Sequence, residues 1–182
     1  MLLKRNTLNM LFDSSIELVL EEFQKKPTDG LQVREIIRLT ELGNPTVIRA
    51  LKTLLNMKLI KKVEGRIYPY YEADLESLEF KKIKIAQTTI VLDQIINEAN
   101  KKNLPKCIVL FDSASKGNDT EKNNIELFMQ CKKVDIDTKS VEKILERKIN
   151  ITFESNTKKI SKEFLNRLAN GIVLSGYLEV SQ

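Results

Sequence analysis

The chain has no histidine and no tryptophan among its 182 residues. Without histidine there is no imidazole to move protons near neutral pH, to activate a nucleophile or to ligate a metal. Only two cysteines occur, Cys107 and Cys131, and neither has a CxxC partner. A zinc ribbon and a dithiol redox motif are therefore excluded. Cys107 opens an apolar run and reads as a small buried hydrophobe. Six glycines and four prolines are too few for long disordered tracts. No run approaches the roughly 18 consecutive apolar residues of a membrane span. Lys4 and Arg5 lie near the start, but no apolar stretch and cleavage site follow, so the segment does not read as a signal peptide. These absences predict a cytoplasmic protein with no membrane partner, and no cofactor is expected.

What is present suits a folded chain of one or two domains: 42% of residues are hydrophobic and 30% charged. The net charge is a mild +5, from 30 basic and 25 acidic residues. That total allows a nucleic-acid partner without requiring one. The distribution is more informative. Between Arg34 and Arg66 there are eight basic residues (Arg34, Arg38, Arg49, Lys52, Lys58, Lys61, Lys62, Arg66) against Glu35, Glu41 and Glu64, whereas the rest of the first hundred residues is net acidic.

Local patterns divide the first half into short elements. Ser14 and Glu17 form a capping-box pattern ahead of Ile16, Val19, Leu20 and Phe23 at helical spacing. Pro27 and Gly30 end that helix. A second short helix turns Val33, Ile36 and Ile37 inward, and Gly43 breaks it. Asn44 is then expected as an N-cap with Pro45 at the first helical position. In this third helix Val47, Leu51 and Leu54 repeat toward a core, and Thr46, Arg49, Lys52 and Thr53 lie off that stripe. Leu59–Val63 and Ile67–Tyr71 are β-prone runs joined around Gly65, which predicts a hairpin. Tyr68, Tyr70 and Tyr71 are expected to pack in the core or the hairpin.

Three helices and then a hairpin is the order of a winged helix-turn-helix. The segment Asn44-Pro45-Thr46-Val47-Ile48-Arg49-Ala50-Leu51-Lys52-Thr53-Leu54 resembles the recognition helix of ArsR/MarR-like regulators, and Lys58–Ile60 with Gly65–Tyr68 resembles their strand and wing. Lys58 departs from the pattern, which usually has glycine there. The resemblance implies binding of double-stranded DNA by a homodimer, with Asn44, Thr46, Arg49, Lys52, Thr53, Lys62 and Arg66 facing the duplex.

Leu75–Asn103 is a long helix-compatible run without glycine or proline, in which Leu78, Ile85 and Leu92 share one face and Ile83 and Ile90 another. Its first part reads as a linker and dimer-forming helix, and its second part, Gln87–Lys101, is expected to cover the sheet of the domain that follows. Beyond it come a strand (Cys107–Phe111), a helical turn after Ser113, a strand (Glu126–Gln130), a helix (Ser140–Lys148), a strand (Asn150–Glu154) and a helix (Lys162–Asn170) stopped by Gly171.

The stretch Ile108–Gly117 with Asn124–Phe128 resembles the signature of the minimal nucleotidyltransferases: a strand ending in Phe-Gly-Ser, a glycine four residues on, and Asp-x-Asp starting eleven residues after the serine. The segment Phe164–Gly176 resembles their closing helix and strand. Here Ser113 and Gly117 keep the frame. Asp112 stands where that family has glycine, Asn124 and Glu126 stand where it has its two aspartates, and Asn150–Phe153 carries no third carboxylate. Nucleotidyl transfer needs carboxylates to hold Mg²⁺ against a triphosphate. An anionic Asp112 would also oppose phosphate: two like charges about 4 Å apart repel by roughly 4 kcal/mol at an effective dielectric of roughly 20. The resemblance therefore implies a degenerate nucleotide site at Asp112, Ser113, Gly117, Asn124 and Glu126, with no catalytic and no metal-binding residue.

The expected fold class is α+β: a winged helix over residues 1–74, a linking helix over 75–104, and a small α/β nucleotidyltransferase-like domain over 105–182. The expected function is DNA-binding transcriptional regulation by a homodimer whose second domain has no catalytic activity and takes, at most, a nucleotide or small-molecule effector. The alternatives are an active nucleotidyltransferase that modifies a protein or nucleotide, with Glu126 as a surviving metal ligand, and a protein–protein adaptor without DNA binding.

Overall fold

The computed structural model describes residues 14–65 and 68–179. It is a mixed α and β structure with two sheets. The chain divides into two compact units, Met1–Lys82 and Ile83–Gln182. Among the described residues no helix is long and apolar enough to cross a membrane.

Unit 1 contains α1 (Ser14–Lys25), α2 (Val33–Thr40), α3 (Asn44–Asn56), β1 (Ile60–Val63) and β2 (Tyr70–Ala73). The helices bury Val19, Leu20, Phe23, Ile36, Val47, Ala50, Leu51 and Leu54, the apolar positions at helical spacing. At the start of α2 the Gln32 N–H donates to Glu35 Oε2 at 2.9 Å, which satisfies an otherwise orphan amide. Glu41, in the left-handed region at φ 57°, ends the helix. Gly43, rather than Asn44, caps α3: its backbone is extended, Asn44 is already helical and Pro45 sits within the first turn. The shift is one residue, and proline tolerates either place because its missing N–H would be unpaired in both.

β1 and β2 pair antiparallel, Ile60 opposite Ala73 and Val63 opposite Tyr70. The second strand begins three residues later than the apolar pattern suggests, so the connection is longer. Leu31 adds a bridge, exchanging backbone hydrogen bonds with Tyr71 at 2.8 and 2.9 Å. Tyr71 is buried and Tyr70 half-buried, but Tyr68 is 60% exposed and packs in no core.

The division between the units falls inside α4 (Leu78–Asn103). In unit 2 the buried positions of α4 are Lys84, Thr88, Leu92, Ile95, Ile96 and Ala99. Along the face shared by Leu78, Ile85 and Leu92, Leu78 is 63% exposed, Ile85 is partly buried and Leu92 is buried. Apolar periodicity missed the true stripe because two of its members are polar.

The sheet of unit 2 has the order β5-β4-β3-β6. The strands are β3 (Cys107–Phe111), β4 (Ile125–Met129), β5 (Ile149–Phe153) and β6 (Ile172–Gly176). β3 pairs antiparallel with β4 and β6, and β4 pairs parallel with β5 through α6 (Lys139–Leu145). A single turn, α5 (Asp112–Ser115), follows β3, and α7 (Lys162–Ala169) precedes β6. α6 ends three residues before its sequence pattern does, because Glu146 turns left-handed at φ 51°. All five residues of β3 are buried, as expected of a strand covered on both faces. Ile108 and Leu110 meet Leu92, Ile95, Leu127 and Val141 on one side; Val109 and Phe111 meet Phe128, Leu168 and Phe164 on the other. Gly171 lies against β3, where an added Cβ would come within 2.6 Å of the Leu110 carbonyl oxygen.

Candidate functional site

Two surfaces carry the residues singled out in the sequence. The first lies on unit 1. With Val47, Ala50, Leu51 and Leu54 turned inward, α3 presents Asn44, Arg49 and Lys52 to solvent. Thr46 and Thr53 are half-buried, and the Thr53 hydroxyl donates to the Arg49 carbonyl at 3.1 Å. The Thr53 donor is thus engaged by its own helix. Lys62 stands on β1 and pairs with Glu64 at 3.2 Å; its neighbour Lys61 pairs with Glu72 at 3.6 Å. Arg34 and Arg38 are exposed on α2. Arg66 lies outside the described residues. An array of exposed cations on a helix and a hairpin can neutralise phosphates and release their counterions. Sequence reasoning missed Ile48, which is 47% exposed on the same side of α3.

The second surface lies in unit 2, where β3 and β4 end beside each other. Asp112 follows Phe111, and Phe111 pairs with Glu126, so topology brings these two carboxylates to one end of the sheet. Asp112 sits in the left-handed region at φ 59°, a conformation that favours glycine and that Asp tolerates better than most residues. Gly117 is also left-handed, at φ 67°, and Ser113 is half-buried in the turn between them. Asn124 precedes β4 and is exposed. On β5, Asn150 pairs with Glu126, and its amide donates to Glu126 Oε1 at 2.9 Å.

Arg167, on α7, completes this group. Its Nε donates to Asp112 Oδ1 at 3.0 Å and its Nη2 donates to Asp112 Oδ2. Its guanidinium carbon lies 5.2 Å from the ring centres of both Phe111 and Phe164. The hydrogen bonds that Arg167 donates to Asp112 hold its guanidinium above its ordinary pKa, and the charge of Glu126 adds to the effect. Asp112 is therefore not the isolated anion the sequence suggests: its charge is compensated by a residue 55 positions away. The residues here do not fit a divalent metal. One carboxylate is held by a guanidinium, the other accepts from an amide, and a fixed cation stands beside both. Among the described residues no group of three or more Cys, Asp or Glu could hold a metal ion.

A third cluster gave no sequence signal. Lys84 of α4, Asp119 of the α5–β4 loop and Arg147 before β5 are all buried. Lys84 Nζ lies 3.1 Å from Asp119 Oδ2 and also donates to the Asp119 carbonyl; Arg147 Nη2 lies 3.9 Å from the same Oδ2. Arg147 Nε donates to the Thr120 carbonyl at 2.8 Å. Burial pulls the Lys84 ammonium below the ordinary lysine range, and Asp119 opposes that shift without cancelling it. The cluster ties the loop to α4 and to the start of β5.

Comparison of the chain with family models, with curated proteins and with solved structures gives no match.

Proposed function

We propose that the chain is a DNA-binding transcriptional regulator. In this reading unit 1 is a winged helix and unit 2 is a nucleotidyltransferase-like domain that has lost its reaction. The observation that carries it is the layout of α3: a buried stripe of four residues turns Asn44, Arg49 and Lys52 outward. This helix lies within the most basic segment of the first hundred residues. A helix of that kind fits the major groove, with short polar side chains toward base edges and cations toward phosphates. The strand order, the bridge at Leu31 and the exposed Lys62 support a hairpin that flanks the same duplex.

For unit 2, the support is conformational. Asp112 keeps a glycine-like backbone at the position where the resembled family has glycine, and Gly117 keeps its own. The frame of a phosphate-binding turn persists, whereas the carboxylates that would hold Mg²⁺ are replaced or neutralised. The unit then serves as a scaffold, an assembly element or a sensor of a small effector. A homodimer would place two copies of α3 on a symmetric operator.

The test is duplex binding by the full chain as a function of salt. Arg49→Ala and Lys52→Ala should each weaken binding and lower the logarithmic salt slope by about 0.9 per lost phosphate contact. Sedimentation at micromolar concentration reads the dimer. If both variants bind like the wild-type chain, α3 does not face DNA; if no duplex is bound at low salt, unit 1 is an interaction module of another kind.

A further inference from the structure

Ile48 stands out on the surface of α3. Successive helical residues are about 100° apart, so Ile48 lies on one row between Asn44 and Lys52, each about 40° from it. All three are exposed, as is the adjacent Arg49. Exposed apolar side chains occurring singly are ordinary. This one is distinguished by its neighbours: a β-branched, rotamer-poor side chain, 47% exposed, in the middle of a row otherwise made of an amide and a cation. It cannot hydrogen-bond a base edge or a phosphate. The apolar feature that the major groove does offer is the C5 methyl of thymine.

We infer that Ile48 packs against a thymine methyl in the major groove and sets a preference for an A·T pair at one position of each half-site. The inference rests on the DNA-binding reading above and names what that helix reads. Asn44 and Lys52, on either side along the helix, would contact the neighbouring steps of the groove. Ile48 would remove one methyl from water where they make polar contacts. The stiff β-branched side chain loses little rotamer freedom when it does so.

The experiment uses duplexes selected from a random pool by the full chain. Each thymine of the selected site is then replaced by uracil, which lacks only the C5 methyl. For the wild-type chain, one position per half-site should weaken binding about fourfold, the value of one methyl removed from water. Ile48→Ala keeps an exposed helix position with a better helix former, so the fold is retained. This variant should bind the thymine and uracil duplexes equally and lose its preference at that position. If Arg49→Ala weakens binding but uracil is tolerated at every position, the Ile48 inference falls and DNA binding stands. Discrimination against uracil that survives in Ile48→Ala also overturns it. If the wild-type chain binds no duplex at low salt, both readings fall.

Discussion

Arg167 and Asp112 are joined by a two-pronged ion pair, Nε to Oδ1 at 3.0 Å and Nη2 to Oδ2, that links α7 to the turn after β3. Phe111 and Phe164 flank the guanidinium, and their rings meet edge to face at 5.4 Å. The pair fixes Asp112 in a left-handed backbone that an unpartnered side chain would not favour.

Removing Arg167 should loosen that turn. Arg167→Ala is expected to cost about 1 kcal/mol, because the pair is partly exposed and water screens it. Arg167→Lys should recover less than half, since an ammonium can neither bridge both oxygens nor stack flat on a ring. In an Asp112→Gly background, Arg167→Ala should cost little beyond its ring contacts. Urea unfolding of the four variants measures the coupling, and additive costs would mean that the two residues act independently.

The buried ions of unit 2 should respond unequally. Asp119→Asn leaves Lys84 and Arg147 buried without their shared carboxylate and is expected to cost about 3–5 kcal/mol. Lys84→Met should cost less, because Arg147 still faces Asp119 and the long apolar stem is replaced. Equal losses in thermal unfolding would contradict the sharing of one carboxylate by two cations.

No Mg²⁺-dependent transfer from a nucleoside triphosphate is expected. Asp112→Gly, Asn124→Asp and Glu126→Asp together should still fail without a third carboxylate on β5 and removal of Arg167, because a metal site lacking one ligand is already compromised. Labelled ATP, GTP, CTP and UTP with Mg²⁺ or Mn²⁺ report this by pyrophosphate release and label on protein. Turnover by the wild-type chain that vanishes in Glu126→Ala would make the chain an enzyme.

Cys107 should be inert to thiol reagents in the native state. Burial pushes its thiol up to about 11, so the reactive thiolate is scarce below that pH. The raised value favours the fold at pH below the ordinary thiol value of about 8.5. That contribution fades as pH rises toward the value in the folded chain. Labelling at pH 8, native against unfolded, measures the protection; equal rates would show that the site opens freely.

Most of the elements are legible in local sequence patterns. Val47, Leu51 and Leu54 at helical spacing specified the inward face of α3, and the apolar run Cys107–Phe111 specified a buried strand, because side-chain periodicity follows directly from backbone geometry. The sequence also put Asp112, Asn124 and Glu126 on one short stretch, where their departure from a metal-binding pattern is legible. Only the folded chain shows what neutralises Asp112, which residue lies opposite Glu126, and that α4 buries Lys84 and Thr88 together with Leu92, Ile95 and Ile96. Arg167, Asn150 and Asp119 are remote in sequence from the groups they satisfy, and no local period encodes such a pairing. A buried charge is stable only with its partner present, and that partner is supplied by the folded chain.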